Sequence, residues 1–272
     1  MPLLDVILGY DCNLACSYCT ITPAMREKEL PSRAVLAAMR AARDEGFESI
    51  SFTGGEPTIR RDLLGLVRRA SALGFTSIKV QSNGLLFAHR PNLDRLREAG
   101  AGVFHVSIHT HERAAYEALV RRAATYDAMV QGLANLVDAG CDPIADVILE
   151  RDTYPRLPAA VRWLAERGVR AADLWFVSLT DGNRDNVSSM PRMTDVAPAM
   201  HEAFAVGDEL GVRVRSLHVP RCLLGADAVR AFDPAAGGVR VVSPEAIFDL
   251  ADSRLTPSAF VPACEGCSHR GL

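Results

Sequence analysis

Glycine closes six successive amphipathic stretches of this chain, each time just before a short run rich in Val, Ile and Phe. The stretches Arg33 to Glu45, Asp62 to Leu73, Leu93 to Ala99, Tyr126 to Ala139, Leu157 to Arg167 and Ala197 to Leu210 stop at Gly46, Gly74, Gly100, Gly140, Gly168 and Gly211. Glycine suits the left-handed residue that ends a helix, so these read as helices, with Ser32 expected as the N-cap of the first. The runs Leu3 to Gly9, Ser49 to Thr53, Ser77 to Ser82, Gly102 to His109, Pro143 to Glu150 and Ala172 to Leu179 read as strands. Strands alternating with helices specify an α/β fold around a parallel sheet.

The strands restrict the architecture further. Phe104, Val106 and Ile108 alternate with His105, Ser107 and His109, while Ile78 and Val80 alternate with Lys79, Gln81 and Asn83. Ile50 and Phe52 alternate with Ser49, Ser51 and Thr53, and Asp146 and Glu150 flank Ile148. Parallel sheets covered on both faces read apolar throughout, so one face here is wet or liganded. The expected fold is a partial (β/α)6 TIM-like barrel, its apolar face under helices and its polar face lining a cavity. Six units fall short of the eight that close a full barrel. After Val212 the pattern gives way to short pieces, Val212 to Leu217 and Val239 to Val242, among five prolines. The expected division is a core at residues 1–211 and a small cysteine-containing appendage at 212–272.

Composition argues against several partners. With 49% hydrophobic and 23% charged residues the chain can bury a large core, and a net charge of -3 leaves no basic footprint for nucleic acid. Met1-Pro2-Leu3-Leu4-Asp5 has no signal-peptide pattern, and no run approaches the roughly 20 apolar residues of a membrane span, which places the expected location in the cytoplasm. The seven cysteines are odd in number and clustered, which in a reducing compartment reads as metal ligation.

Cys12, Cys16 and Cys19, at C-x3-C-x2-C spacing after the first strand, form one such cluster. Three thiolates in a loop hold three irons of a [4Fe-4S] cluster and leave the fourth open for chemistry. A purely electron-carrying cluster or a structural zinc would want a fourth protein ligand, and none is nearby in sequence. The second strand runs into Thr53-Gly54-Gly55-Glu56-Pro57 and the third into Gln81-Ser82-Asn83-Gly84. Glycines let backbone approach a ligand closely, and Glu56 offers a carboxylate to an ammonium group. Three motifs therefore fall on consecutive strand ends, at the edge where β/α folds build active sites.

Together the three motifs resemble the radical S-adenosylmethionine (SAM) enzymes, over roughly residues 3 to 180. The run Phe-Thr-Gly-Gly-Glu-Pro-Thr-Ile-Arg-Arg-Asp-Leu looks like the branch containing the molybdenum-cofactor enzyme and the peptide-modifying SPASM and twitch enzymes. The resemblance implies that Cys12, Cys16 and Cys19 ligate a [4Fe-4S] cluster whose open iron binds the SAM amino and carboxylate groups. It further implies that Gly54, Gly55 and Glu56 meet the methionyl amine, that Ser82 and Asn83 lie along the methionyl or ribose portion, and that Ser107 lies near the ribose. Ile148 and Tyr18 would touch the adenine. The implied reaction is reductive cleavage of SAM to a 5'-deoxyadenosyl radical that modifies a peptide or small biosynthetic intermediate, with a flavodoxin or ferredoxin as electron donor. The competing class is a noncatalytic iron-sulfur electron carrier or redox sensor.

The other cysteines pose a separate question. Cys141 reads as a packed thiol. Cys222 with Cys264-x2-Cys267 resembles the auxiliary-cluster cysteines of SPASM and twitch enzymes, which often have a further cysteine six positions on. That position lies one residue beyond Leu272, so the expectation is either a truncated chain or a site closed differently, by substrate, by Cys222 with another ligand, or by His269. A zinc site or an unmetallated tail remains the alternative. His105, His109 and His111 suit substrate contact or proton transfer as well as simple burial, and no second metal is expected there. The loop Asp181, Asn183, Arg184, Asp185 and Asn186 lies over the expected cavity, as a substrate contact or a solvated loop.

Overall fold

The structure is a computed structural model that describes residues 2–232, 237–253 and 262–266. Seven strands follow one another across one sheet: β1 (Leu3–Ile7), β2 (Ser49–Thr53), β3 (Ser77–Ser82), β4 (Val103–Ser107), β5 (Ile144–Leu149), β6 (Ala171–Phe176) and β7 (Arg213–Leu217). Two more, β8 (Val239–Val242) and β9 (Ile247–Asp249), complete the order β7-β6-β5-β4-β3-β2-β1-β8-β9. Every neighbouring pair is parallel except β8 with β9. The sheet stays open, with β7 and β9 at its edges.

Both strand-like pieces expected after Val212 join this sheet: β7 pairs with β6, and β8 lies parallel to β1 on the far side. The connecting helices are α1 (Ser32–Asp44), α2 (Leu63–Ala72), α3 (Arg90–Glu98), α4 (Arg113–Val120), α5 (Tyr126–Asp138), α6 (Leu157–Glu166), α7 (Met193–Leu210) and the single turn α8 (Arg221–Leu224). All six expected glycine stops adopt positive φ, between 68° and 115°. Ser32 is not the cap expected for α1: Pro31 occupies that position, and the Ser32 hydroxyl donates to Asp62 at 2.5 Å. Helix α4 was invisible to the glycine pattern because Arg121, at φ 52°, takes the left-handed position that closes it.

One face of the sheet is the core. Ile50, Phe52, Ile78, Val80, Phe104, Val106, Val147 and Leu174 are at most 2% exposed, packed among helix residues such as Val35, Met39, Val67, Leu93, Leu133 and Leu164. Each large apolar side chain buried there contributes roughly 1.5–3 kcal/mol. A one-residue slip of any strand would send Lys79 or Asp146 into that layer, so the pattern fixes register. On the opposite face side chains converge. Gln81 on β3 donates to Asp146 on β5 at 3.1 Å, although β4 lies between them. Strands two apart are separated by roughly 9.5 Å in a flat sheet, so this face is concave.

Candidate active site

The cluster-binding loop leaves β1 and is gripped from several sides. Arg26 donates to the Cys12 carbonyl at 3.0 Å and the Leu14 carbonyl at 2.9 Å, and Arg122 donates to the Asn13 carbonyl at 2.5 Å. The end of α4 accepts Ala15 N–H at Val120 and Ser17 N–H at Leu119. From the segment after β6, Asn183 donates to the Tyr18 carbonyl at 2.7 Å and Asn186 to the Ser17 carbonyl at 2.9 Å. These two residues of the polar loop therefore hold the cysteine loop in place.

The Gly54-Gly55-Glu56 segment docks on the same loop. Gly55 N–H donates to the Gly9 carbonyl at 2.9 Å and Glu56 N–H to the Asp11 carbonyl at 2.8 Å. A Cβ on Gly54 would stand 2.2 Å from Gly9 O, and one on Gly55 2.1 Å from Asp11 O. The close approach the glycines permit is thus to the cysteine loop's own backbone. Glu56 links the second motif to the third: Oε1 accepts from Thr58 N–H, the Thr58 hydroxyl and the Ser82 hydroxyl, and Oε2 accepts Asn83 N–H at 2.7 Å. Burial pushes the Glu56 pKa up, and these donors oppose it. Asn83 in turn donates to Asn13 Oδ1 at 2.7 Å, closing a chain of hydrogen bonds from strand β3 back to the residue after Cys12.

Cys12, Cys16 and Cys19 are free, half-buried thiols on one loop, a donor set that suits the three protein-held irons of a [4Fe-4S] cluster. Burial pushes the Cys12 thiol up to about 11, opposed by Leu14 N–H. Burial, reinforced by Cys12 and Cys19, pushes Cys16 up to about 12. Loading a metal here must therefore displace protons.

Tyr18 turns away from solvent, its hydroxyl 3.0 Å from His109 Nε2 and its ring edge-on to the imidazole. His109 sits just past β4 at φ 61°, 2% exposed, and burial lowers its pKa to about 3. Its Nδ1 is buried with no hydrogen-bond partner among the described residues. The unfolded chain takes up a proton below pH about 6.5 that the folded chain refuses until about 3, so stability is present above that window and lost as pH falls through it. We expect roughly 1 kcal/mol less unfolding free energy at pH 5.5 than at pH 8 from this residue. Urea unfolding of His109→Gln should lack that increment, and an unchanged pH slope would remove the assignment.

Ser107 and Ile148 lie on the concave face, where Ser107 faces Asp146 and Ile148 faces Trp175 in register. Deeper in the cavity, Asp146 accepts from Gln81, from Trp175 Nε1 and, in the Nδ1–H tautomer, from His105, the last two at 3.2 Å. Arg215 on β7 grips both oxygens of Asp173 at 2.8 and 2.6 Å. His105, Asp146 and Asp173 offer donor atoms within 4.8 Å of one another, but these carboxylates already hold neutral and cationic donors, so the group is a hydrogen-bonded lining. Asp173, Trp175 and Arg215 escaped the sequence reading, although Asp173 and Trp175 alternate with buried Ala172, Leu174 and Phe176. The Glu150 carboxylate, 7% exposed just past β5, accepts the Ser17 hydroxyl, and burial raises its pKa.

A sequence profile described as the radical SAM superfamily matches residues 6–179. The chain belongs to the radical SAM superfamily. Among curated relatives, a probable GTP 3',8-cyclase of Methanopyrus kandleri is 35% identical over 162 residues, covering 57% of this chain and 50% of that protein. This radical SAM chain therefore spans about half the length of the relatives it matches. Streptococcus suis SuiB bound to precursor peptide SuiA superposes with TM-score 0.73 at 14% identity, over 89% of this chain and 57% of that one. SuiB bound to S-adenosylmethionine gives TM-score 0.72 at 15% identity, over 89% and 58%. These likenesses establish the expected partial-barrel fold.

Of the tail cysteines, Cys222 is exposed in α8 and Cys264 is half-buried, while Cys267 and His269 lie outside the described residues. The tail also reaches the site: Glu245, in the turn between β8 and β9, accepts from Tyr10 and pairs with Lys28 at 3.2 Å. No described helix is long and apolar enough to cross a membrane.

Proposed function

We propose that this chain is a radical SAM enzyme of the cytoplasm that modifies a peptide or a small biosynthetic intermediate. The observation that carries the reading is the hydrogen-bonded convergence of the three cysteines, Gly54-Gly55-Glu56 and Ser82-Asn83 at one end of the sheet, above a polar concave face. Cys12, Cys16 and Cys19 would hold a [4Fe-4S] cluster. Glu56 keeps acceptor capacity on Oε2 for the methionyl ammonium, beside the Gly54 and Gly55 backbone. Ser82 and Asn83 would line the methionyl and ribose side, Ser107 the ribose, and Ile148 and Tyr18 the adenine. When both are bound, cluster and SAM supply a 5'-deoxyadenosyl radical, as one electron from a carrier such as flavodoxin or ferredoxin breaks the sulfur–carbon bond and releases methionine. The protein's own residues orient these groups and keep water from the radical.

The concave face suits a substrate held by hydrogen bonds, with His105 oriented by Asp146 and Arg215 by Asp173. A relative named for GTP chemistry and a structural neighbour bound to a precursor peptide support the two substrate classes. Cys222, Cys264 and Cys267 are proposed ligands of a second iron-sulfur cluster. Anaerobically reconstituted protein given dithionite and SAM should yield 5'-deoxyadenosine and methionine in equal amounts, read by chromatography and mass spectrometry. Protein that carries iron and sulfide, binds SAM and never cleaves it would sink the reading.

A further inference from the structure

His109 holds a backbone conformation that side chains other than glycine seldom adopt. It takes φ 61° just past β4, with its N–H on the Asp146 carbonyl at 3.2 Å. Such a residue costs energy and persists only where its surroundings over-determine it. The conformation places the imidazole edge-on to Tyr18, at 5.1 Å between ring centroids, and stacked on Tyr116 at 6.3 Å.

The two ring nitrogens then fix one tautomer. Nε2 lies 3.0 Å from the Tyr18 hydroxyl, and Nδ1 is buried without a partner among the described residues. A buried N–H left without an acceptor costs more than an unused lone pair, so the single proton of the neutral ring belongs on Nε2. Nε2–H therefore donates to the Tyr18 oxygen, and the Tyr18 proton goes elsewhere. Tyr18 stands inside the turn that Cys19 N–H closes on the Cys16 carbonyl at 3.1 Å, its own carbonyl held by Asn183. The acceptor there is the Cys16 sulfur. Burial dominates the pKa of both groups, and beneath it their mutual hydrogen bond favours the Cys16 thiolate and the protonated Tyr18, which makes Tyr18 the donor.

We infer that His109, Tyr18 and the Cys16 sulfur form a hydrogen-bond relay that sets the cluster's reduction potential, Tyr18 donating to a ligand sulfur and His109 acting as its positioning residue. This rests on the cluster proposed above. A donor on a ligand sulfur offsets the negative charge that reduction adds, so it raises the potential. No atom or proton is transferred along the relay.

Two readouts test it apart from SAM cleavage. In the metal-free protein, 15N chemical shifts of His109, assigned by difference against His109→Gln, should show Nε2–H, and an Nδ1–H ring would overturn the relay before any cluster is loaded. In the anaerobically reconstituted chain without SAM, electron paramagnetic resonance during a redox titration reads the potential. Tyr18→Phe keeps the ring and loses the hydroxyl. At the wild-type midpoint its reduced-to-oxidised ratio should fall about tenfold, a one-electron shift of about 59 mV to more negative potential. His109→Phe should shift the same way by less, and His109→Gln, whose amide donates from the Nε2 position, should retain the wild-type value. Equal potentials in wild type and Tyr18→Phe would overturn the relay, as would a Tyr18→Phe shift that His109→Phe does not share. If Tyr18→Phe assembles no cluster, the His109 pair decides: equal potentials in His109→Phe and His109→Gln overturn the relay. A wild type that holds no iron and sulfide would instead remove the proposed function, and this inference with it.

Discussion

Cys16→Ala is expected to abolish SAM cleavage, lowering 5'-deoxyadenosine formation by about a thousandfold or more. Removing groups that merely orient metal ligands already costs roughly 10–100-fold, and Cys16 is proposed as one of only three protein ligands. On top of burial, Cys12 and Cys19 both raise the pKa of the Cys16 thiol, so the three thiols are close enough to interact. Iron content and visible charge-transfer absorption after anaerobic reconstitution should fall with activity, while the far-ultraviolet circular dichroism should not change, because the loop is held by backbone contacts that do not involve the Cys16 side chain. Cys141→Ala is the matched control. Cys141 packs at the end of α5, away from the loop, and its loss should leave cluster and cleavage intact. A Cys16→Ala protein that still cleaves SAM would displace the cluster from this loop.

The parts of the fold that could be read in advance are those written locally. Alternation of Phe104, Val106 and Ile108 with His105 and Ser107 specified a strand with one buried and one polar face, and glycine at positive φ marked six helix ends. Where another residue does glycine's job, as Arg121 does for α4, the signal vanished. Pairing of distant segments was also silent. Nothing local says that Val239–Val242 lies parallel to β1, because that depends on which edge of the sheet is open. The inner network was half legible for the same reason: Asp146 stood out within its strand, but Arg215 acquires meaning only once β7 lies beside β6 and Asp173. Tyr18 was readable as an aromatic next to a cysteine. Its pairing with His109 was not, since the contact requires a histidine in the left-handed region and a loop folded back across the sheet.

The glycine pair after β2 shows how a correct motif can hold a second meaning, and it gives the next largest expected effect. Gly55→Ala would set a Cβ 2.1 Å from Asp11 O and 2.6 Å from Tyr10 O. Both obstacles are backbone atoms of a loop tied to α4, Arg26 and Asn183, so neither can yield without moving the cysteines. Relief requires the two loops to part, which breaks the Gly55 to Gly9 and Glu56 to Asp11 hydrogen bonds. Overpacking at roughly 1–3 kcal/mol and two hydrogen bonds at roughly 0.5–1.5 kcal/mol each put the cost at roughly 2–6 kcal/mol. Displacement of Glu56 by about an ångström would also misplace the acceptor proposed for the methionyl ammonium and slow SAM cleavage about a hundredfold. Gly65→Ala, in α2, is the counterpart, because its Cβ would meet nothing within 4 Å and should stabilise the helix by about 0.5–1 kcal/mol. Denaturant unfolding and 5'-deoxyadenosine formation measured on both variants decide the matter. If Gly55→Ala matches the wild type in both, the loops are not held in the contact that joins the second motif to the first.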